Sequence, residues 1–448
     1  WLKFFLTRVF CFTRKARCPQ GIASIMVVCS PFHRLLYLRF CAMGLLALGG
    51  IGVLGPACTL GGRTVMIAVL LRRLLRCLRG LPSRNCRAVA GKPLQPSMLG
   101  LHRRFLELYD NAGVAATSSG IGGVHPEERV AALQRKFRLS DGQEIAYWDV
   151  GGLPEGSGAE QSVVLLCNGL GARVAGWAPL LDALHSESPA WHGRRLVVPE
   201  YRGQFASMPL IGGGVSVERS AADLSELVAA LGIKRCSLLC WSTGVQVGLQ
   251  LALDRKDLVN GMVLIQGTTG KALNAILQPL CTVPAVPSLL GAFLRYVPKA
   301  MVRSGVRLAL GDALLRWPSP FERFGALVLW PFGSDLMPPI VVRYGQDMLQ
   351  SDAHFANYCG YAEALGRHIL APRLPEIKSP ALVITGTPDF VTPARCSYDL
   401  AASLGSIGGA ELFDDASGSH YYIFEEPHKC AKKVARFLDS IAPVATQS

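Results

Sequence analysis

Three residues of the types that can turn a hydroxyl into a nucleophile each stand just after an apolar run of strand length. Ser242 lies in Cys240-Trp241-Ser242-Thr243-Gly244-Val245. Asp389 lies in Gly386-Thr387-Pro388-Asp389-Phe390-Val391-Thr392-Pro393, and His420 in Asp415-Ala416-Ser417-Gly418-Ser419-His420-Tyr421. A serine attacks a carbonyl carbon only when a base removes its proton; imidazole serves this role most often, and a carboxylate can in turn hold the imidazole. A serine at a sharp strand-to-helix turn also needs small residues two positions to either side, so that its hydroxyl stands clear. Gly244 meets that need, and Cys240 is small as well. Asp414 and Asp415 are further acids, close to His420 in sequence.

The segments that must hold these residues alternate in kind. Apolar runs at 163–167 (Val-Val-Leu-Leu-Cys), 196–199, 237–240, 262–266 and 381–385, with a strand at 411–413, are the length of strands. Continuous apolar runs suit strands buried on both faces. Between them fall helical patterns at about 216–231, from Gly244, after Pro393 and at 425–441. In the first, Leu224, Leu227, Val228 and Leu231 recur at helical spacing, and Ser220 with Asp223 resembles a capping box. Alternation of this kind means a mostly parallel central sheet with helices on both faces, an α/β fold. Ahead of it, a helical lead-in at 126–137 precedes a hairpin of strands 137–139 and 144–150 around Ser140-Asp141-Gly142. The rhythm stops over residues 271–375, which read as helices and Pro-rich loops, the pattern of an inserted helical cap. The chain thus divides into 1–100, a basic hydrophobic segment; 101–270, the first part of the core; 271–375, the cap; and 376–448, the second part of the core.

The Ser242 segment resembles the nucleophile elbow, Gly-x-Ser-x-Gly, of the α/β-hydrolase family, with Cys240 in place of the first glycine. The resemblance extends over residues 137–442. The Asp389 segment looks like the family's acid loop and the His420 segment like its histidine loop, in the family's chain order of serine, acid, histidine. Asn168-Gly169-Leu170-Gly171 corresponds to the family's His-Gly oxyanion loop, with Asn for His. The resemblance implies Ser242 as nucleophile, His420 as base and Asp389 as the group orienting it. It also implies an oxyanion hole of the Leu170 and Thr243 backbone amides, supported by Asn168, Gly169, Trp241 and Gly244. Glu200-Tyr201-Arg202-Gly203, leading to Ser207, is similar to a structural segment of the family.

Charge and cysteine content narrow the function. The 448 residues carry 46 Lys and Arg against 32 Asp and Glu, a net charge of +14. Residues 1–100 hold 15 of the basic groups and no acid; the remainder is close to neutral. The excess therefore does not lie on a folded surface suited to phosphate, and no nucleic-acid partner is expected. The 14 cysteines include no Cys-x-x-Cys, so neither a metal site nor a thioredoxin-like site is expected.

Residues 40–62 are uncharged and long enough to cross a bilayer, though their glycines and Pro56 weaken a helix. Arg72, Arg73, Arg76 and Arg79 follow. Residues 40–79 are expected to associate with a membrane, making the protein membrane-associated through one amino-terminal span. Two alternatives stand beside this: an Arg-rich, acid-poor mitochondrial or plastid targeting segment, and translation upstream of a later start such as Met26, Met43 or Met98.

The combined expectation is a serine hydrolase that cleaves a hydrophobic or lipid-like ester through an acyl-enzyme, without metal or cofactor. Trp317 and Trp330 would help line an apolar pocket in the cap. Carbon–carbon bond hydrolysis, acyl transfer and a non-catalytic membrane-tethered binding role are the alternatives.

Overall fold

The computed structural model describes residues 98–110, 125–152, 162–276, 283, 285–310, 345–406 and 409–441. Its centre is an eight-stranded sheet built from β1 (Arg135–Arg138), β2 (Glu144–Gly151), β3 (Val163–Cys167), β4 (Arg195–Pro199), β5 (Cys236–Trp241), β6 (Val259–Ile265), β7 (Ala381–Gly386) and β8 (Glu411–Asp415). The order across the sheet is β1-β2-β4-β3-β5-β6-β7-β8. β1 and β2 run antiparallel, β2 runs antiparallel to β4, and every later neighbour is parallel. The turn between β1 and β2 uses Gly142 at φ 84°, a left-handed conformation that glycine adopts without steric cost.

The apolar runs are buried because helices cover both faces of the sheet. The described helices are α1 (Met98–Asp110), α2 (Pro126–Ala132), α3 (Ala178–Glu187), α4 (Val217–Ala230), α5 (Thr243–Asp254), α6 (Ala285–Tyr296), α7 (Lys299–Leu310), α8 (Asp352–Arg367), α9 (Ala394–Ser403), α10 (Tyr422–Glu425) and α11 (Pro427–Ile441). Side chains alternate along each strand. Val164, Leu166, Leu239, Val263 and Ile384 meet Phe105, Leu180, Leu184, Val434 and Leu438 on one face. Leu165, Leu238, Leu264 and Val383 meet Leu224, Leu227, Val247 and Leu251 on the other. Residues with period two therefore feed two cores, as strands buried on both sides require.

Three sequence expectations change. The lead-in helix ends at Ala132, and β1 begins at Arg135, inside the stretch read as helix. Ser220 and Asp223 do not form a capping box: Ser216 is the N-cap of α4, its hydroxyl accepting the Arg219 N–H at 3.1 Å. Ser220 and Asp223 face the interior, where Asp223 receives Arg202 through Nε at 2.6 Å and Nη2 at 2.5 Å. The membrane-associated placement is also corrected, since no helix among the described residues is long and apolar enough to cross a membrane. The residues that suggested a span, 40–79, lie outside the described residues, as do Trp317 and Trp330 of the expected cap.

The Arg202 side chain is fully buried and also donates to Asp141 at 3.0 Å. Removing one partner of a buried ion pair leaves the other charge without compensation in a low dielectric. Asp223→Ala is therefore expected to lower the unfolding free energy by about 3–5 kcal/mol in urea titrations.

Candidate active site

β3 and β5 are adjacent and parallel, with Cys167 in register with Cys240. Both strands end at the same edge, so the segment starting at Asn168 and the segment containing Ser242 leave the sheet side by side. Their backbones touch. A Cβ on Gly244 would lie 1.9 Å from the Cys167 carbonyl oxygen, and one on Gly169 would lie 2.8 Å from the Trp241 ring. Both glycines are fixed by this close approach. Ser242 adopts φ 56° and ψ −118°, and its N–H donates to the Ile265 carbonyl at 2.9 Å. A non-glycine residue held there stores about 1–3 kcal/mol of strain. Thr243 opens α5, and the first N–H groups of a helix have no acceptor within the helix. Leu170 follows Gly169 in the neighbouring loop.

Cys240 occupies the position where the elbow pattern has glycine, and α5 makes room for it. A Cβ on Gly248 would lie 2.4 Å from the Cys240 sulfur. The space missing at one position is thus supplied one turn into the helix.

His420 reaches the elbow from the loop after β8. Its Nε2 is 2.8 Å from the Ser242 hydroxyl oxygen, and its Nδ1 is 2.9 Å from Asp389 Oδ2. The three residues separated by up to 178 positions are thus brought together. Asp389 is held by its own loop after β7: Oδ1 accepts the Val391 and Thr392 N–H groups, both at 2.8 Å. Its side chain is fully buried beside the imidazole. Asp414 and Asp415 are engaged elsewhere, Asp414 by the Tyr398 hydroxyl and Asp415 by Ser417, Tyr422 and Lys429.

The supporting residues have structural partners. Trp241 donates its indole N–H to the His420 carbonyl at 3.1 Å and packs its ring 6.0 Å from the imidazole. Asn168 donates to the Pro199 carbonyl at 2.8 Å and accepts the Trp177 indole N–H at 2.5 Å, which fixes the start of its loop. Thr392 was not singled out by sequence. Its hydroxyl lies 2.8 Å from Asp389 Oδ2, 2.9 Å from the Gln266 carbonyl and 3.2 Å from His420 Nδ1, so it braces acid and imidazole together. The signal available was a Thr three residues after the acid, where a hydroxyl can fold back onto it.

Beside the loop that begins at Asn168 lies a polar group of larger sequence spread. Glu200 is buried, and burial pushes its carboxyl up to about 7, against the Ala206 N–H and the Arg173 guanidinium, which hold it down. The described residues include no group of three or more His, Cys, Asp or Glu able to hold a metal ion.

A family model described as alpha/beta hydrolase fold matches residues 162–427, more than half of the chain. The chain belongs to the alpha/beta hydrolase family and is a hydrolase of that family. It is 29% identical over 245 residues to a protein of Stutzerimonas stutzeri (strain A1501) named as a carbamate hydrolase, RutD, with 54% of this chain and 79% of that one covered. It is 27% identical over 314 residues to the 2-hydroxy-6-oxononadienedioate/2-hydroxy-6-oxononatrienedioate hydrolase of Paraburkholderia xenovorans (strain LB400), with 69% and 96% covered. Among solved structures, MGS-M2, an alpha/beta hydrolase enzyme from a Medee basin deep-sea metagenome library, matches at a TM-score of 0.50 and 17% identity, with 70% of this chain and 100% of that one covered. That likeness shows the fold.

Two stability measurements check this account. Gly248→Ala crowds the Cys240 sulfur in a strand that has no room to shift, so it is expected to cost about 1–3 kcal/mol. Adding Cys240→Gly should recover roughly half of that or more, since it removes the sulfur that competes with the new methyl for one space. Glu200 titrates at about 7 in the fold, against its ordinary 4.5. The folded state therefore holds this proton more tightly, and stability falls as pH rises from about 4.5 to 7. Glu200→Gln is expected to stabilise the protein on the order of 3 kcal/mol at pH 8 and to give little gain at pH 4.5, by urea unfolding at both values.

Proposed function

We propose that the protein cleaves carboxylic esters with an uncharged, hydrophobic acyl group through an acyl-enzyme formed on Ser242. The observation that carries this is the continuous chain from the Ser242 hydroxyl through His420 to Asp389, 2.8 Å and 2.9 Å long at its two contacts and closed off from solvent at the acid. His420 Nε2 takes the serine proton as Oγ attacks the carbonyl carbon. Asp389 stabilises the imidazolium by accepting from Nδ1. The Leu170 and Thr243 amides are the donors for the developing oxyanion, in a site where such donors need no reorganisation. His420 then returns the proton to the leaving alcohol. Water, deprotonated by the same imidazole, attacks the acyl-enzyme and releases the acid.

Thr392 keeps Asp389 and the imidazole in register during both half-reactions, because its hydroxyl lies against each. We assign the described parts of residues 271–375, which include α6, α7 and α8, to a cap. A second reading, carbamate cleavage, uses the same attack and is favoured by similarity to the relative named as a carbamate hydrolase.

The test is steady-state turnover of p-nitrophenyl pentanoate and p-nitrophenyl N-butylcarbamate by the full chain. The pentanoate is expected to give the larger kcat/KM. Ser242→Ala should lower kcat by about 10³-fold or more with a folded protein. Turnover by Ser242→Ala equal to that of the parent would remove Ser242 from the mechanism. A larger kcat/KM for the carbamate would move the assignment to the second reading.

A further inference from the structure

Next to Leu170, the oxyanion-loop residue Gly171 borders a narrow cleft whose lining includes Phe205, Asp347, His354 and Tyr358. The cleft holds about 20 Å³, room for the terminal group of an acyl chain and not for a whole substrate. Tyr358 lies on α8, with its ring 3.2 Å from where a Cβ on Gly171 would stand. Burial first, and the Tyr358 phenol next, push the Tyr421 hydroxyl above its ordinary pKa, so Tyr358 also stands near the residue that follows His420. The cleft is thus lined by Gly171, next to Leu170, and by a tyrosine that acts electrostatically on the residue after His420.

Two residues that line this cleft, Phe205 and Asp347, hold one guanidinium. Arg173, two residues after Gly171, lays its guanidinium 4.2 Å from the centre of the Phe205 ring. Its Nε donates to Asp347 Oδ2 at 3.2 Å. The Asp347 side chain is only 2% exposed. Gln350 donates to its other oxygen at 3.2 Å. Glu200 places a second buried carboxyl within the field of Arg173 and Asp347. His354 contributes no cation at neutral pH: burial, then Arg173, depress its pKa, while Asp347 opposes them. A cation that could otherwise receive the carboxylate of a substrate is thus already engaged by Asp347. A like charge brought into a partly desolvated site is strongly disfavoured.

We propose that Asp347 determines specificity: by engaging the Arg173 guanidinium beside the oxyanion loop, it makes the acyl end of the site accept uncharged chains and reject chains ending in a carboxylate. This rests on the ester-hydrolase reading of the site. It sets the chain apart in chemistry from the relative named for a dioate substrate, to which it is 27% identical.

The experiment compares p-nitrophenyl pentanoate with mono-p-nitrophenyl glutarate, whose acyl chains match in length and differ in a terminal methyl or carboxylate. The full chain should favour the pentanoate in kcat/KM by about 30-fold or more. Asp347→Asn should narrow that ratio by about tenfold or more, through a gain on the glutarate, and adding Arg173→Met should abolish the gain. Asp347→Ser repeats the comparison if the Asn variant does not fold. A parent ratio within about threefold, or a ratio unmoved in a folded Asp347 variant, would overturn the proposal.

A binding arm separates this proposal from the ester assignment. In Ser242→Ala protein, calorimetry with dimethyl glutarate and monomethyl glutarate should show the monoanion binding more weakly, and Asp347→Asn should tighten the monoanion alone. If neither nitrophenyl ester is turned over, the ester reading fails. The binding comparison then decides this proposal alone: tightening upholds it, and unchanged binding overturns it.

Discussion

The site depends on one backbone approach, that of Gly244 against the carbonyl of Cys167. It follows from the parallel pairing of β3 with β5 and from the register that sets Cys167 beside Cys240. Because the strands end together, the loop that begins at Asn168 and the turn that carries Ser242 emerge in contact, and the Leu170 and Thr243 amides belong to adjoining segments. A side chain at Gly244 would force the two apart. The left-handed backbone of Ser242 can persist because its neighbours on both sides are fixed: β5 is wholly buried, and α5 packs against it. Strain at this position is thus held by the sheet, and the sheet is held by apolar residues that never meet a substrate.

The histidine and its acid are assembled by a second close approach of the same kind. A Cβ on Gly386 would lie 2.0 Å from the Gly418 carbonyl, so the Asp389 loop and the His420 loop press together as the Ser242 turn and the Asn168 loop do. Trp241 ties the two pairs to each other through its hydrogen bond to the His420 carbonyl. Four loops at one edge of the sheet therefore behave as two glycine-mediated contacts joined by one indole.

Much of this was legible because its signals are local. An apolar strand-length run followed by Ser, Asp or His in a turn is visible in a few residues, and the alternation of strands with helices gives the parallel sheet. What escaped depends on contacts across long separations. Ser220 and Asp223 have the spacing of a cap, yet Asp223 answers Arg202, 21 residues earlier, which no local pattern reveals. Cys240 looks like a defect in the elbow until Gly248 is seen to vacate the space its sulfur fills. Arg173, Glu200 and Asp347 come from three distant segments, and their charges acquire meaning only when burial brings them together. The amino-terminal apolar stretch lies outside the described residues, among which no helix is long and apolar enough to cross a membrane.

The claim on which everything else rests is that Ser242 is the nucleophile activated through His420. Treatment of the full chain with a fluorophosphonate probe, followed by peptide mass spectrometry, tests it most directly. One adduct on Ser242 is expected, formed at least about 100-fold more slowly in His420→Ala. An adduct on another residue, or labelling of Ser242 at the same rate without the imidazole, would contradict the account.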